Sequence, residues 1–442
     1  MLDIKFIRQN PEKVKESMEK RNMKADIVDR LLEVDKKRRE IITELESLKA
    51  TKNKTSRIIV ETKDPEERKK IIGEMKELDV KSDILNKEQK ELDQQFQSLI
   101  IMIPNVPDDD VPAGKDESEN VILRKIGEPL EFAFKPKDHL EIGKELDLID
   151  TETAAKISGS RFAYLKNGAA ILEYAIVQYV FQTLSDSVII KKIADGIEDG
   201  YPASPFVPVV PPVMIKPDIY IKMARLDPGQ EEERYYLQKD DQYLIGSAEH
   251  TLGPLHMDEV IPEEKLPLRY IGFSTSFRRE AGSYGKDTKG ILRVHQFDKL
   301  EMESFTIPEN SRKEQDFIVA IQEYLVNSLG IPYQVIAVCT GDMGGPDARQ
   351  IDIECWMPGQ GKYRETHTSD MNTDYQARRL NTRVRRAGGE VELVHMNDAT
   401  AFAIGRILIA ILENYQQEDG SVVIPEVLRK YTGFDKIVKK EQ

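Results

Sequence analysis

The sequence predicts an α+β protein: a mostly antiparallel β-sheet flanked by helices, preceded by an antiparallel α-helical hairpin. Three observations predict it. An apolar heptad runs through the N-terminal quarter, short β-branched runs separated by turn residues follow a linker-like stretch, and a charged hairpin lies near residues 277–301.

The chain has 442 residues, enough for two or three folding units. Its net charge of -14 excludes a uniformly basic nucleic-acid coat but leaves room for a local basic face. Two cysteines, Cys339 and Cys355, with no CxxC spacing, exclude a disulfide scaffold and a structural zinc site. Both lie in apolar strand contexts and are expected to be buried. The N-terminal MLDIKFIRQNPEKVKES lacks the apolar run of a signal peptide, and no apolar stretch approaches the ~20 residues of a membrane span. The expectation is a cytoplasmic, reducing location and no membrane partner.

Apolar residues fall at Ile27, Leu31, Val34, Ile41, Leu45 and Leu48 in heptad steps, with Arg38 the polar member of the seam. Asp64-Pro65, a helix cap followed by proline, opens a second register through Ile71, Met75, Leu78, Leu85, Leu92, Phe96 and Leu99. Two such helices joined by the polar segment 53–63 predict a hairpin, the longer helix about 50 Å at 1.5 Å per residue. Periodicity alone fits a dimerising or spacer coiled coil equally well. Basic residues cluster at Lys36, Lys37, Arg38 and Arg39, at Lys49, Lys52, Lys54 and Arg57, and at Arg68, Lys69 and Lys70. A phosphate backbone would dock there, although the interleaved acids also describe an ordinary solvated helix face.

The expected division is an N-terminal domain over 1–103, a linker over 104–125 that includes NVPDDDVPAGKDESEN, and a second domain over 126–442. In the second domain FVPVVPPVMI, YLIGSAEH, ILRVHQF, YQVIAV and IDIECWMP read as strand segments, and AFAIGRILIAILENYQQ as a buried helix carrying Arg406 near its start.

The charged hairpin reads FRREAGSYGKDTKGILRVHQFDKLE. On paired strands Arg278 and Glu280 share a face, as do Arg293, Phe297 and Glu301. Arginines for phosphate, an aromatic plate for a base and carboxylates for an exocyclic amine suit a nucleotide. No GxxxxGK[ST] or GxGxxG loop occurs elsewhere to hold the phosphates. A hairpin laced with salt bridges fits the same spacing.

Phe277-Arg278-Arg279-Glu280 followed by Arg293, Phe297 and Glu301 resembles the second signature of class II aminoacyl-tRNA synthetases, and its wording is similar to the seryl-tRNA synthetase family. YLIGSAEH resembles that family's serine loop, WMPGQGKYRE and DYQARRLNTR its catalytic core, ILENYQQEDGSVVIPEVLR its C-terminal end, and the helical hairpin its tRNA-binding arm. The resemblance implies a class II catalytic domain over 126–442 and an N-terminal coiled-coil arm that recognises the long variable arm of tRNA. It implies activation of serine with ATP to seryl-adenylate, then transfer to the 3′ end of tRNA(Ser), with tRNA(Sec) left open as a further acceptor.

Carried over by position, the resemblance makes Arg278, Glu280 and Arg406 catalytic. Arg278 would meet the α-phosphate and the serine carboxylate, Glu280 the adenine amine, and Arg406 the γ-phosphate. Phe297 would stack on the base beside Val294, and Glu365 would hold Mg2+ with the ATP. Arg279, Thr366, His367 and Thr368 complete the implied ATP set. Ser247, Ala248, Glu249, Arg278, Glu301 and Thr400 form the implied serine set. Gly159 and Pro211-Pro212 align with the first signature, which implies a homodimer.

Some positions depart from the family. Ser247 stands for a threonine, residues 366–371 differ throughout, and Asp398, beside Asn397, stands for an asparagine. The added carboxylate is expected to bind the substrate ammonium or to alter the amino acid selected. His367 reads as a packed or backbone-bonded histidine rather than a metal ligand, since no second His or Cys is spaced to help it. The segment IIKKIADGIEDGYPASPF is longer than expected and has no assigned role. Two competing readings are a non-charging paralogue that binds tRNA or a partner, and an enzyme that loads a carrier protein. Retention of Arg278, Glu280, Phe297, Glu301, Glu365 and Arg406 counts against the first, and the basic hairpin against the second.

Overall fold

A computed structural model describes residues 1–226, 228–281 and 289–439. It forms two compact units, Leu2–Pro104 and Asn105–Gln442.

In the first unit, two short helices precede α1 (Asp26–Glu61) and α2 (Pro65–Ile100), each 36 residues long. Ile41, Leu48, Leu85 and Leu92 are buried between them, with Val34, Leu45 and Leu78 packed against that cluster, so the heptad seam is the interface. Arg38 stays within the seam by pairing with Asp93 and lying 5.0 Å from the Phe96 ring centre. The expected joint at 53–63 is much shorter. No glycine or proline interrupts 53–61, so α1 runs on to Glu61 and only residues 62–64 turn the chain. Asp64 then caps α2 by accepting from the Glu66 and Glu67 amides at 2.9 and 3.4 Å.

The second unit is built on an eight-stranded sheet. Its strands are β1 (Val121–Ile126), β2 (Val207–Val209), β3 (Leu268–Phe277), β4 (Gln296–Thr306), β5 (Tyr333–Ala337), β6 (Arg349–Met357), β7 (Lys362–Thr373) and β8 (His395–Ala403). Their spatial order is β1-β5-β6-β7-β8-β4-β3-β2, antiparallel except where β2 joins β3. The last residues of the stretch expected as a linker thus form an edge strand, β1 pairing with β5. Upstream, the buried Asn105 amide donates to the Pro346 and Asn372 carbonyls at 2.8 and 3.0 Å.

Helices α3 (Asn167–Ser185), α4 (Ser187–Ile197), α5 (Ser311–Ser328) and α6 (Ile404–Asn414) contribute to the core. Phe317, Ile318 and Ile321 of α5 and Ile407, Leu408 and Ile411 of α6 pack with Leu300, Met302, Ile351, Ile353, Ala399 and Ala401 of the strands. Alternation then turns Lys299, Glu301 and Glu303 to the other face of β4, and Asp398 and Thr400 to the other face of β8. Most sheets of this kind would put that second face in water. Here it is buried and polar, and the site lies on it.

The unassigned segment IIKKIADGIEDGYPASPF begins in α4, capped by Asp186 and buried at Ile190 and Ala194. Cys339 and Cys355 are both buried, and their thiols are free. No helix among the described residues is long and apolar enough to cross a membrane.

Candidate active site

β3 and β4 pair antiparallel from Leu268 opposite Phe305 to Phe277 opposite Gln296. Alternation therefore accounts for Phe297, Lys299 and Glu301 on one face. It does not account for Arg278, Glu280 and Arg293, which lie beyond the ladder, Glu280 with φ of 53°. Positions 282–288 of the connecting loop lie outside the described residues. Arg278 and Glu280 converge for other reasons. The Arg278 Nε donates to the Gly246 carbonyl at 3.1 Å, and the Glu280 carboxylate accepts from Arg293 Nη1 at 2.8 Å.

A cavity of about 190 Å³ brings these groups together. At one end the Arg278 guanidinium lies 5.3 Å from the Phe297 ring centre, with Val294, Ile291 and Leu292 as apolar wall. Burial pushes the Arg278 pKa below its ordinary value, yet an arginine there stays charged. Gly405 faces this wall. A Cβ there would stand 2.9 Å from the Ile291 carbonyl oxygen, so only glycine allows α6 to start so close. The Arg406 Nη1 donates to both the Glu365 carbonyl and Oε1 at 2.9 Å. Burial alone would push Glu365 up, but the charges of Arg406 and Arg278 hold it below the usual carboxylate range.

The other end is densely charged. The Ser247 hydroxyl donates to Glu249 Oε2 at 2.6 Å and accepts from Lys299 Nζ at 3.0 Å. Lys299 also pairs with Glu301. The Arg225 guanidinium reaches Glu249 at 3.1 Å, Asp398 at 3.3 Å and Asp370 at 3.7 Å. Carboxylate oxygens of Glu249, Glu301 and Asp398 all lie within 4.8 Å of one another. Burial would push Glu249 up, but Arg225 and Lys299 hold it well below the usual range. Burial and the charges of Glu249 and Asp398 win at Glu301, which is pushed up to about 8 against the pull of Lys299. Asp398 is pushed up to about 7 by burial and by Glu249. The loop carrying Ser247 and Glu249 is steadied by His250, whose Nδ1 accepts from the Gly246 amide at 3.1 Å. Burial pushes that histidine down to about 3, so the ring is neutral and can accept.

Of the residues singled out in the sequence, Arg278, Glu280, Val294, Phe297, Glu365, Thr366, Thr368, Arg406, Glu249, Glu301 and Thr400 line this cavity. Four do not. Ser247 is buried behind the carboxylates it bonds, and Ala248 is fully buried beside it. The Arg279 guanidinium lies 5.7 Å from the Tyr235 ring centre, and its amide donates to the Glu233 carbonyl. His367 faces the helix side. The regular part of the β6–β7 ladder sets it opposite the core residue Ile353, two residues from Ser369 opposite Ile351, where its ring meets Phe402 at 5.2 Å and its Nδ1 lies 2.8 Å from Thr366 Oγ1. Burial pushes its pKa down to about 3, as suits a packed neutral ring.

Arg225, Lys299 and Asp370 line the cavity without having been singled out. Lys299 was legible, since it lies between Phe297 and Glu301 in steps of two along a strand. Nothing local marks Arg225, which meets Asp398 from 173 positions away.

An antiparallel sheet whose buried polar face holds arginines, an aromatic plate and a carboxylate cluster defines a class II aminoacyl-tRNA synthetase core. The class II core domain family that covers the glycine, histidine, proline, serine and threonine enzymes matches residues 234–415. The seryl-tRNA synthetase N-terminal domain family matches residues 1–107. The chain belongs to the seryl-tRNA synthetase family. It is 43% identical to the serine--tRNA ligase of Dictyoglomus turgidum over the full length of both chains. The crystal structure of seryl-tRNA synthetase from Pyrococcus horikoshii complexed with ATP superposes with a TM-score of 0.90 at 38% identity, covering all of both chains. The cytoplasmic serine-tRNA ligase of Naegleria fowleri in complex with AMP gives 0.85 at 31% identity, over 100% of this chain and 99% of that one.

Proposed function

We propose that this protein is a serine–tRNA ligase that activates serine with ATP in the cavity and transfers it to tRNA. The observation that carries the reading is the polarity of the cavity, arginines and an aromatic ring at one end and a carboxylate cluster at the other. The serine carboxylate attacks the α-phosphorus of ATP, and pyrophosphate leaves. Arg278, held by the Gly246 carbonyl, neutralises the charge that builds on the α-phosphate, and Arg406 meets the outer phosphates. Phe297 and Val294 clasp the base, and Glu280, oriented by Arg293, accepts from its amine. Glu249, Glu301 and Thr400 receive the ammonium and hydroxyl of serine, with Ser247 and Lys299 holding the two glutamates in place. A site that bonds a hydroxyl rejects alanine, because the buried partners would be left unpaired. No general base is needed where positioning and charge dominate.

The residues present fit a magnesium ion. Of the two carboxylate oxygens of Glu365, hydrogen bonds among the described residues reach only Oε1, and the neighbouring Asp352 is pushed well up by burial and by the charge of Glu365. Glu365, with Thr368 beside it, would hold an ion that screens the ATP phosphates.

Lys49, Lys54, Arg57, Arg68, Lys69 and Lys70, in the half of the arm nearest the turn between α1 and α2, are suited to the phosphates of tRNA(Ser). tRNA(Sec), if it shares the long variable arm, would be received the same way. Exposed Ile171, Tyr174, Val188, Val207 and Val210, in the region of Gly159 and Pro211-Pro212, support a homodimer through that face. A cytoplasmic location suits an enzyme that serves translation.

Exchange of labelled pyrophosphate into ATP, with each amino acid in turn and no tRNA, tests the activation step. Serine-dependent exchange that disappears in Arg278→Ala is the expected result. Absence of exchange with every amino acid would overturn the reading.

A further inference from the structure

The amino-acid end of the cavity carries more negative charge than serine requires, and the excess lies in one row. Glu303 on β4 is the direct partner of Asp398 on β8, and Asp398 is the direct partner of Asp370 on β7. Side chains opposite one another in an antiparallel ladder share a face about 5 Å apart, and like charges so placed repel. The three are only 0%, 2% and 7% exposed. Asp370 and Asp398 line the cavity.

The fixed cations do not neutralise this row. Arg225 reaches Asp398 and Asp370 but also serves Glu249, and Lys299 is engaged by Glu301, Glu249 and Ser247. Asp370 Oδ1 has no hydrogen-bond partner among the described residues, and neither does either carboxylate oxygen of Glu303. A buried carboxylate without a partner is costly unless it is protonated or meets a cation. Burial, with the charges of neighbouring acids, pushes all three above the usual carboxylate range, Asp398 to about 7. The row therefore holds protons that an entering cation can displace.

A divalent metal suits the row poorly. Arg225 already brings positive charge against Asp398 and Asp370, which opposes a second, doubly charged cation there, and a row without histidine or cysteine disfavours zinc in particular. An ammonium carries one charge and donates up to three hydrogen bonds. In the activation reading on which this rests, Glu249, Glu301 and Thr400 receive the ammonium and hydroxyl of serine. The Asp398–Asp370 pair lies beside that set, joined to Glu249 through the shared Arg225, and serine, with only a hydroxyl on its β-carbon, leaves the pair unused.

We propose that the cavity also activates a short α,β-diamino acid, L-2,3-diaminopropionate, with its β-ammonium on Asp398 and Asp370. The covalent step is that of serine. A bond forms between the substrate carboxylate oxygen and the α-phosphorus, the α–β bridging P–O bond breaks, and pyrophosphate leaves with the electron pair.

Pyrophosphate exchange measured side by side with L-2,3-diaminopropionate, serine and alanine tests this. Diaminopropionate is expected to exceed alanine at least about tenfold in kcat/KM and to match or exceed serine. Asp398→Asn and Asp370→Asn are each expected to lower the diaminopropionate-to-serine ratio about tenfold or more. Two variants and a wild-type measurement guard against loss of folding in either one. Exchange with serine but not with diaminopropionate overturns the proposal and leaves serine activation standing, whereas exchange with neither overturns both. An unchanged ratio in both variants overturns the placing of the β-ammonium, and diaminopropionate exchange that requires added zinc would put a metal there instead.

Discussion

The arm and the cavity use the same charged residues to opposite ends. On the arm, Lys37–Glu33, Lys52–Asp79 and Lys81–Glu44 are paired in solvent over an apolar seam. Each such pair contributes about 0.2–1 kcal/mol and is screened by salt. In the cavity, Arg225, Lys299, Glu249, Glu301 and Asp398 are almost wholly withdrawn from water. There, removing one partner costs about 3–5 kcal/mol, because the other charge is stranded. The difference teaches that charge on the arm is free to meet an outside phosphate backbone, whereas charge in the cavity is already committed and can respond only to a ligand that replaces a proton or a partner. Arg38 is the arm's exception, a cation packed into the seam by Asp93 and Phe96.

Substitutions should break the comparison in graded steps. The largest effect is expected from Arg278→Ala, which should cut serine-dependent pyrophosphate exchange by about two to three orders of magnitude, and a loss below tenfold would remove Arg278 from the reaction. Arg225→Ala should raise the KM for serine by about 10- to 100-fold, because Glu249 and Asp398 then repel each other; steady-state exchange kinetics read this directly. A combined Lys54→Ala, Arg57→Ala and Lys69→Ala change should lower tRNA charging about tenfold at low salt and flatten its salt dependence, while exchange without tRNA is unaltered. If exchange fell as well, the two regions would not be separable in function.

The pH dependence of stability sharpens the contrast. Glu301 and Asp398 have folded-state pKa values of about 8 and 7, above the ~4 of an unfolded carboxyl. Between those limits the folded state holds protons that the unfolded state has lost, so these groups' contribution is fully present below about pH 4 and is lost as pH rises through 7 to 8. Thermal unfolding of the unliganded protein should accordingly show Glu301→Gln flattening the fall in stability from pH 5 to pH 8, and an unchanged slope would mean that Glu301 is ionised in the fold. The smallest effect belongs to the arm's surface. Lys37→Ala should change unfolding by no more than about 0.5 kcal/mol, measured by denaturant titration.

By itself the sequence determined the arm, the antiparallel sheet and most of the residues at the end of the cavity that holds Arg278, Val294 and Phe297. Those signals are local: heptad spacing, the Asp64-Pro65 cap, and a contiguous hairpin whose residues are brought together by one turn. Even its errors were local. The joint at 53–63 was drawn from polarity where the absence of glycine and proline was the better guide, and alternation was extended to Arg278 and Glu280 past the end of the ladder. Only the tertiary structure decided the carboxylate-rich end. Glu303, Asp398 and Asp370 become neighbours because β4, β8 and β7 lie side by side, and Arg225 reaches the two aspartates from outside the sheet. Pairing opposite Ile353 likewise set His367 in the core. Strand order and register arise from the packing of whole faces, so a buried charge cluster assembled across strands leaves no spacing in the chain to read.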